Sequence, residues 1–241
     1  MKKLYGAFCC FAVAVACTTT AQADLVIGQT VAIDFGSIAP TAGTNFNQFD
    51  AFNNSIADGA TLAFSAIPGG TPLIDTTGAN ISTLDFTVEN QSGQNTSRNN
   101  VTNGTTGPAP FNDSTIFQDS IISNNQGTAP LVTGGFLVFT FTGLDDSLAY
   151  DLTGGYDGNN ANFDSTWSAG GQSFVSAPGA NAYQSLNGLS TDGSGNLAIT
   201  VTRNTLHVNA GALTLTVAVP EPSSLVLLGL GVAGLAVCRR R

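Results

Sequence analysis

LAITVTR, residues 197–203, alternates aliphatic and polar side chains along its whole length. In an extended chain successive side chains point to opposite faces, so Leu197, Ile199 and Val201 share one face and Ala198, Thr200 and Thr202 the other. ALTLTV (212–217) repeats the rhythm, and GFLVFTFT (135–142) reads as a buried strand. Around these runs, Thr, Val, Ile and Phe recur in short stretches bounded by Gly, Asn, Asp and Pro, while strong helix formers are scarce. That combination predicts an all-β sandwich or barrel.

Working outward, Gly143-Leu144-Asp145-Asp146 is a predicted turn, followed by a return strand at 148–152. Asp164–Ser168 and Gln172–Ser176 flank a Gly170-Gly171 hairpin turn, and Asp192-Gly193-Ser194-Gly195 is another turn. In the first half, 30–35, 60–67 and 81–89 are predicted strands. Within ISTLDFTVE (81–89), Leu84, Phe86 and Val88 form the core face, and Ile81, Thr83, Asp85, Thr87 and Glu89 the other. TNFNQFDAFNN (44–54) spaces Phe46, Phe49 and Phe52 three apart, which points to a helical turn or an aromatic lid. Residues 90–110 are almost wholly polar and read as a long surface loop. Ser114–Ile122 fits a helix or a strand.

The two ends differ from this body. Lys2 and Lys3 precede an apolar run at 4–17, and Ala21-Gln22-Ala23 offers small residues to a signal peptidase, with the mature chain starting at Asp24. A lipoprotein-type cut before Cys17 is the rival. At the other end, Val219-Pro220-Glu221-Pro222 leads into an uncharged run at 223–238 and then Arg239, Arg240 and Arg241. As a helix, that run spans about 24 Å against roughly 30 Å of hydrocarbon. Long arginine stems reaching the headgroups make up part of the deficit, and positive residues stay cytoplasmic. Two prolines keep Pro220–Pro222 extended and short of donors.

These three parts in order resemble the PEP-CTERM sorting signal of bacterial exported proteins. The resemblance implies recognition by an exosortase, cleavage near Pro220–Pro222, and delivery to the surface or an extracellular matrix beside exopolysaccharide. An ordinary tail anchor with a stiff stalk is the alternative. The expected organisation is 1–23 signal peptide, 24–218 β-sandwich body and 219–241 sorting segment. FTFTGLDDSLAYDL, STDGSGNLAITVTR and VNAGALTLTV are similar in rhythm to galactose-binding-like and malectin-like domains, which implies a jelly-roll-like sandwich.

All four cysteines (Cys9, Cys10, Cys17, Cys238) lie in the terminal segments, so the body has neither disulfides nor thiolate metal sites. Arg98 and Arg203 are its only basic residues against fifteen acids, a formal charge of −13. Such a body repels nucleic acid. It contains no lysine and one histidine, His207, with no Gly-x-Ser-x-Gly elbow, so no catalytic constellation stands out. Asp145 and Asp146 are the adjacent carboxylates that a glycan-cleaving alternative would use, but they sit in a turn. GGYDGNNANFDSTW (154–167) is the candidate ligand stretch. Tyr156 and Trp167 offer flat faces, and Asp157, Asn159, Asn160 and Asp164 offer oxygen atoms for sugar hydroxyls or Ca²⁺. The blander reading is turn residues joined to two core aromatics. The expected function is a non-catalytic, polysaccharide-associated surface or matrix module, with a permanently tethered envelope protein as a further alternative.

Overall fold

The structure, a computed structural model, describes residues 25–36, 45–50, 54–67, 70, 72–100, 111, 119–123, 134–156, 164–177, 182–205 and 207–219. Among them the strands are β1 (Thr30–Asp34), β2 (Asn47–Gln48), β3 (Thr61–Ala63), β4 (Leu73–Ile74), β5 (Asn80–Ile81), β6 (Asp85–Gln91), β7 (Thr96–Asn100) and β8 (Asp119–Ser123). The second half adds β9 (Phe136–Thr142), β10 (Tyr150–Gly155), β11 (Ser165–Ala169), β12 (Gln172–Ser176), β13 (Tyr183–Leu189), β14 (Leu197–Arg203), β15 (Asn209–Ala210) and β16 (Ala212–Val217). The described residues contain no α-helix, only a 3₁₀ turn at Phe64–Ala66. The all-β expectation holds.

Two large sheets make the sandwich, beside a three-stranded sheet β15-β8-β7 and the two-stranded β4-β5. One large sheet runs β13-β10-β16-β1-β2 and the other β12-β11-β14-β9-β6-β3. Every pairing in them is antiparallel except β1 with β2. Alternation dictates the packing. Leu137, Phe139 and Phe141 of β9 and Leu197, Ile199 and Val201 of β14 face Val31, Ile33, Leu213, Leu215 and Leu152 of the other sheet in one core. Phe35 stacks on Phe139 with centroids 4.6 Å apart, and Phe86 lies 4.9 Å from Phe141. The outer face of the five-stranded sheet is covered as well. Phe46, Phe111 and Tyr183 pack there on Ala32 and Ala212, and Phe111 stacks on Tyr183 at 4.6 Å.

Several local expectations change. The predicted strand 81–89 is broken by a turn at 82–83, which resets the phase. Leu84, Phe86 and Val88 are core as expected, but Ile81 is buried too. The strand predicted at 60–67 ends at Ala63 and continues as the 3₁₀ turn. The stretch 44–54 forms no helical turn where it is described: β2 pairs parallel with β1, with Phe46 and Phe49 buried beside it, while Phe52 lies outside the described residues. Of the predicted loop 90–110, residues 90–91 belong to β6 and 96–100 to β7, which pairs with β8 and settles 119–123 as strand, while 101–110 lie outside the described residues. The return strand lies at Tyr150–Gly155, and β9 alternates between core and surface instead of being buried throughout. The strands expected to close the sheets, β14 and β16, lie inside them.

Two glycine positions are dictated by geometry. Gly170 and Gly171 both have positive φ (56° and 78°), the requirement of a two-residue type I′ hairpin. At Gly154 a Cβ would lie 2.7 Å from Cζ3 of Trp167. Gly154→Val should therefore overpack the core and cost about 1–3 kcal/mol, read as a lower denaturant midpoint at unchanged m-value.

Register also defines two poles. Thr30 pairs with Thr216, and the Gly28 amide donates to the Val217 carbonyl at 3.1 Å. The chain therefore enters β1 and leaves β16 at one pole, which also carries the turns at 143–149, 170–171 and 190–196. Asp34, Gly155, Ser165, Ser176 and Arg203 mark the opposite pole.

Candidate functional site

The stretch 154–167 leaves β10 and enters β11 at the pole remote from the chain ends. Trp167 sits on the inward face of β11 and is completely buried, stacked on Phe174 with centroids 5.9 Å apart and tilted against Phe139 at 5.7 Å. Tyr156 is buried against Ile122, and its amide donates to the Ser176 hydroxyl at 3.1 Å. Neither ring presents a face to solvent, so the two aromatics make no exposed sugar platform. Asp164 is half-buried, and its carbonyl accepts from the Asn204 amide at 3.0 Å. Asp157, Asn159 and Asn160 lie outside the described residues.

The adjacent carboxylates are absorbed by turns at the other pole. Asp145 Oδ1 accepts from the Ser147 amide (2.8 Å) and hydroxyl (2.7 Å), and these bonds hold its carboxyl below the usual range. Asp146 Oδ1 accepts from the Gly195 amide at 2.8 Å, linking two turns. Asp192 closes its own turn by accepting from Asn196 Nδ2, Ser194 N and Asn196 N, which again lowers its pKa. The Tyr150 hydroxyl accepts from the Asp145 amide (2.9 Å) and donates to the Asp145 carbonyl (3.0 Å), pinning this corner. Burial pushes that phenol up. His207 is half-buried, with Nδ1 3.2 Å from the Ser123 carbonyl oxygen. Among the described residues no group of three or more His, Cys, Asp or Glu is placed to hold a metal ion.

The sequence reading missed an inward-facing polar group at the remote pole. Arg203 continues the Leu197-Ile199-Val201 face and is buried. Opposite it across the ladder is Ser165, whose hydroxyl accepts from the Asn209 amide at 3.3 Å. Ser165 in turn pairs with Ser176. The alternation that identified β14 places Arg203 on the core face, so the signal was present in LAITVTR itself.

The termini lie largely outside the description. The described residues end at Val219, which is 65% exposed two residues beyond β16. Ala21, Ala23, Pro220, Glu221, Pro222 and Arg239–Arg241 are not among them. Among the described residues no helix is long and apolar enough to cross a membrane.

Residues 218–241 match the PEP-CTERM protein-sorting motif. Among curated proteins nothing matches. A solved structure titled as an arabinose-bound α-L-arabinofuranosidase, MgGH51, aligns with 78% of this chain and 31% of that one, at 12% identity and a TM-score of 0.27. This chain thus spans about a third of that one, and the likeness carries no argument about fold or activity.

Proposed function

We propose that this chain, ended by a PEP-CTERM sorting motif at 218–241, is an exosortase substrate whose body serves at the cell surface or in the extracellular matrix as a non-catalytic, polysaccharide-associated module. The motif is the observation that carries the reading. The signal peptide at 1–23 starts export. The apolar run at 223–238 then halts it as a short membrane helix, with Arg239–Arg241 held on the cytoplasmic side. The connectivity of the body is read as jelly-roll-like, with strands from both halves of the chain interleaved in each sheet.

The fold fits this use. The motif begins as β16 ends, so a cut at Pro220–Pro222 leaves every described strand intact. The pole carrying the chain ends faces the membrane before processing, and the pole where Tyr156 and Asp164 flank the candidate stretch faces outward. The acidic surface keeps the released body soluble and away from anionic lipid.

Cell fractionation with intact-mass measurement tests the reading. The mature form is expected in the surface or matrix fraction, beginning at Asp24 and lacking Arg239–Arg241. Arg239–Arg241→Ala should leave uncut precursor, with at least a tenfold loss of the surface form. A surface form that retains all three arginines would contradict processing. A cytosolic form with both ends intact would sink the whole reading.

A further inference from the structure

Three donor groups at the outward pole have no hydrogen-bond partner among the described residues although they are buried: Arg203 Nη2, Trp167 Nε1 and Asn209 Nδ2. Asn209 Oδ1 is a buried acceptor in the same condition. Arg203 is 9% exposed, and Trp167 and Asn209 are 0% exposed. Leaving such groups without partners is costly, and the cost is greatest for a charged one.

Ser165 ties the three residues together. It is the register partner of Arg203, its hydroxyl accepts from the Asn209 amide, and Trp167 follows two residues later on the same inward face. No carboxylate pairs with Arg203 among the described residues, although the body carries fifteen acids and this is one of its two arginines. Three donors, one of them a planar guanidinium, beside a single amide acceptor match an oxyanion with a neighbouring hydroxyl.

We propose that Arg203, Trp167 and Asn209 form an oxyanion-binding site at the outward pole, and that its ligand is the carboxylate of a sugar acid. Arg203 and the indole take the carboxylate oxygens, and the Asn209 amide bridges to them and to a ring hydroxyl. The ligand class rests on the polysaccharide-associated reading above; the donor set does not.

The test is thermal unfolding of the full chain in detergent, titrated with sodium glucuronate, sodium sulfate or glucose at constant ionic strength set with sodium chloride. Glucuronate should raise Tm in a saturable way, by roughly 5 °C at fifty times Kd. Sulfate should act more weakly, and glucose should have no effect. Arg203→Met should abolish the glucuronate shift while being at least as stable as the wild type in chloride alone, because an unpaired buried charge has been removed. If Arg203→Met does not fold, Arg203→Lys supplies the test, since it keeps the charge but loses the fork, and a tenfold weaker response is expected. No shift above the chloride baseline overturns the proposal, as does an equal shift with glucose or an undiminished shift in the variants. Sulfate matching glucuronate would assign the site to an inorganic oxyanion and overturn the sugar-acid ligand. The site can fail in this titration while the surface fraction still lacks its arginines, and the reverse, so the two readings fall separately.

Discussion

Trp167→Ala lowers the unfolding free energy by about 3–5 kcal/mol, the range for emptying a buried large aromatic site. The ring is fully buried between the sheets. It stacks on Phe174 with an interplanar angle of 11°, leans on Phe139, and on the opposite sheet meets a glycine that leaves room for it. Chemical denaturation measures the loss, and Val175→Ala is the control, because Val175 neighbours Phe174 but is 45% exposed. A loss under about 1 kcal/mol would place the indole outside the core and revive the exposed platform. If the measured cost is large, any loss of glycan binding in this variant reports unfolding as much as contact.

Asp75→Ala is expected to cost about 2–4 kcal/mol, because one carboxylate organises a whole turn. Its Oδ1 accepts from the Thr77 amide (2.9 Å), the Thr77 hydroxyl (2.7 Å) and the Ala79 amide (2.9 Å), and its Oδ2 accepts from Gln29 Nε2 at 3.2 Å. Asp75 also forms an isolated bridge with Val31, tying the β4–β5 hairpin to β1. Burial pushes the carboxyl up, but the hydrogen bonds together outweigh it and hold the pKa below the ordinary value. The folded state therefore prefers the ionised form. The stabilisation is present above the unfolded pKa of about 3.9 and is lost as pH falls through the lower folded value. Wild-type stability should drop below about pH 4, and Asp75→Asn should flatten that acid limb. Equal acid limbs in the two proteins would remove Asp75 from this role.

How far the sequence speaks depends on the residue. The alternation in 197–203 gave a strand and its core face because β14 buries one face only, whereas 212–217 alternates in sequence although Ala212 and Thr214 on its outer face are buried as well. At Ile81 alternation failed, since the turn at 82–83 shifts the phase by a step that no hydrophobic pattern records. The strand Tyr183–Leu189 passed unnoticed because it is an edge: of its seven residues only Leu186 and Leu189 are buried, three apart, around an Asn-Gly pair that reads as a turn. Residues 96–100 are polar throughout and become strand by pairing with β8, a long-range partner invisible to local propensity. In the candidate site, neighbouring Asp, Asn and Gly made Trp167 and Tyr156 look exposed. Trp167 obeys the inward alternation of β11 instead, and Tyr156 packs on Ile122, far away in the chain. Arg203 was equally legible by alternation, but its lack of an acid partner among the described residues depends on three-dimensional surroundings.

The central position of β16 has a kinetic consequence. Without residues 212–217, β1 and β10 have no common neighbour, and the five-stranded sheet falls into two open fragments. Thr30 must wait for Thr216, a closure across nearly the whole body, so native topology is reached late. A chain threaded N-terminus first through any passage therefore lacks its finished five-stranded sheet until residues 212–217 have emerged.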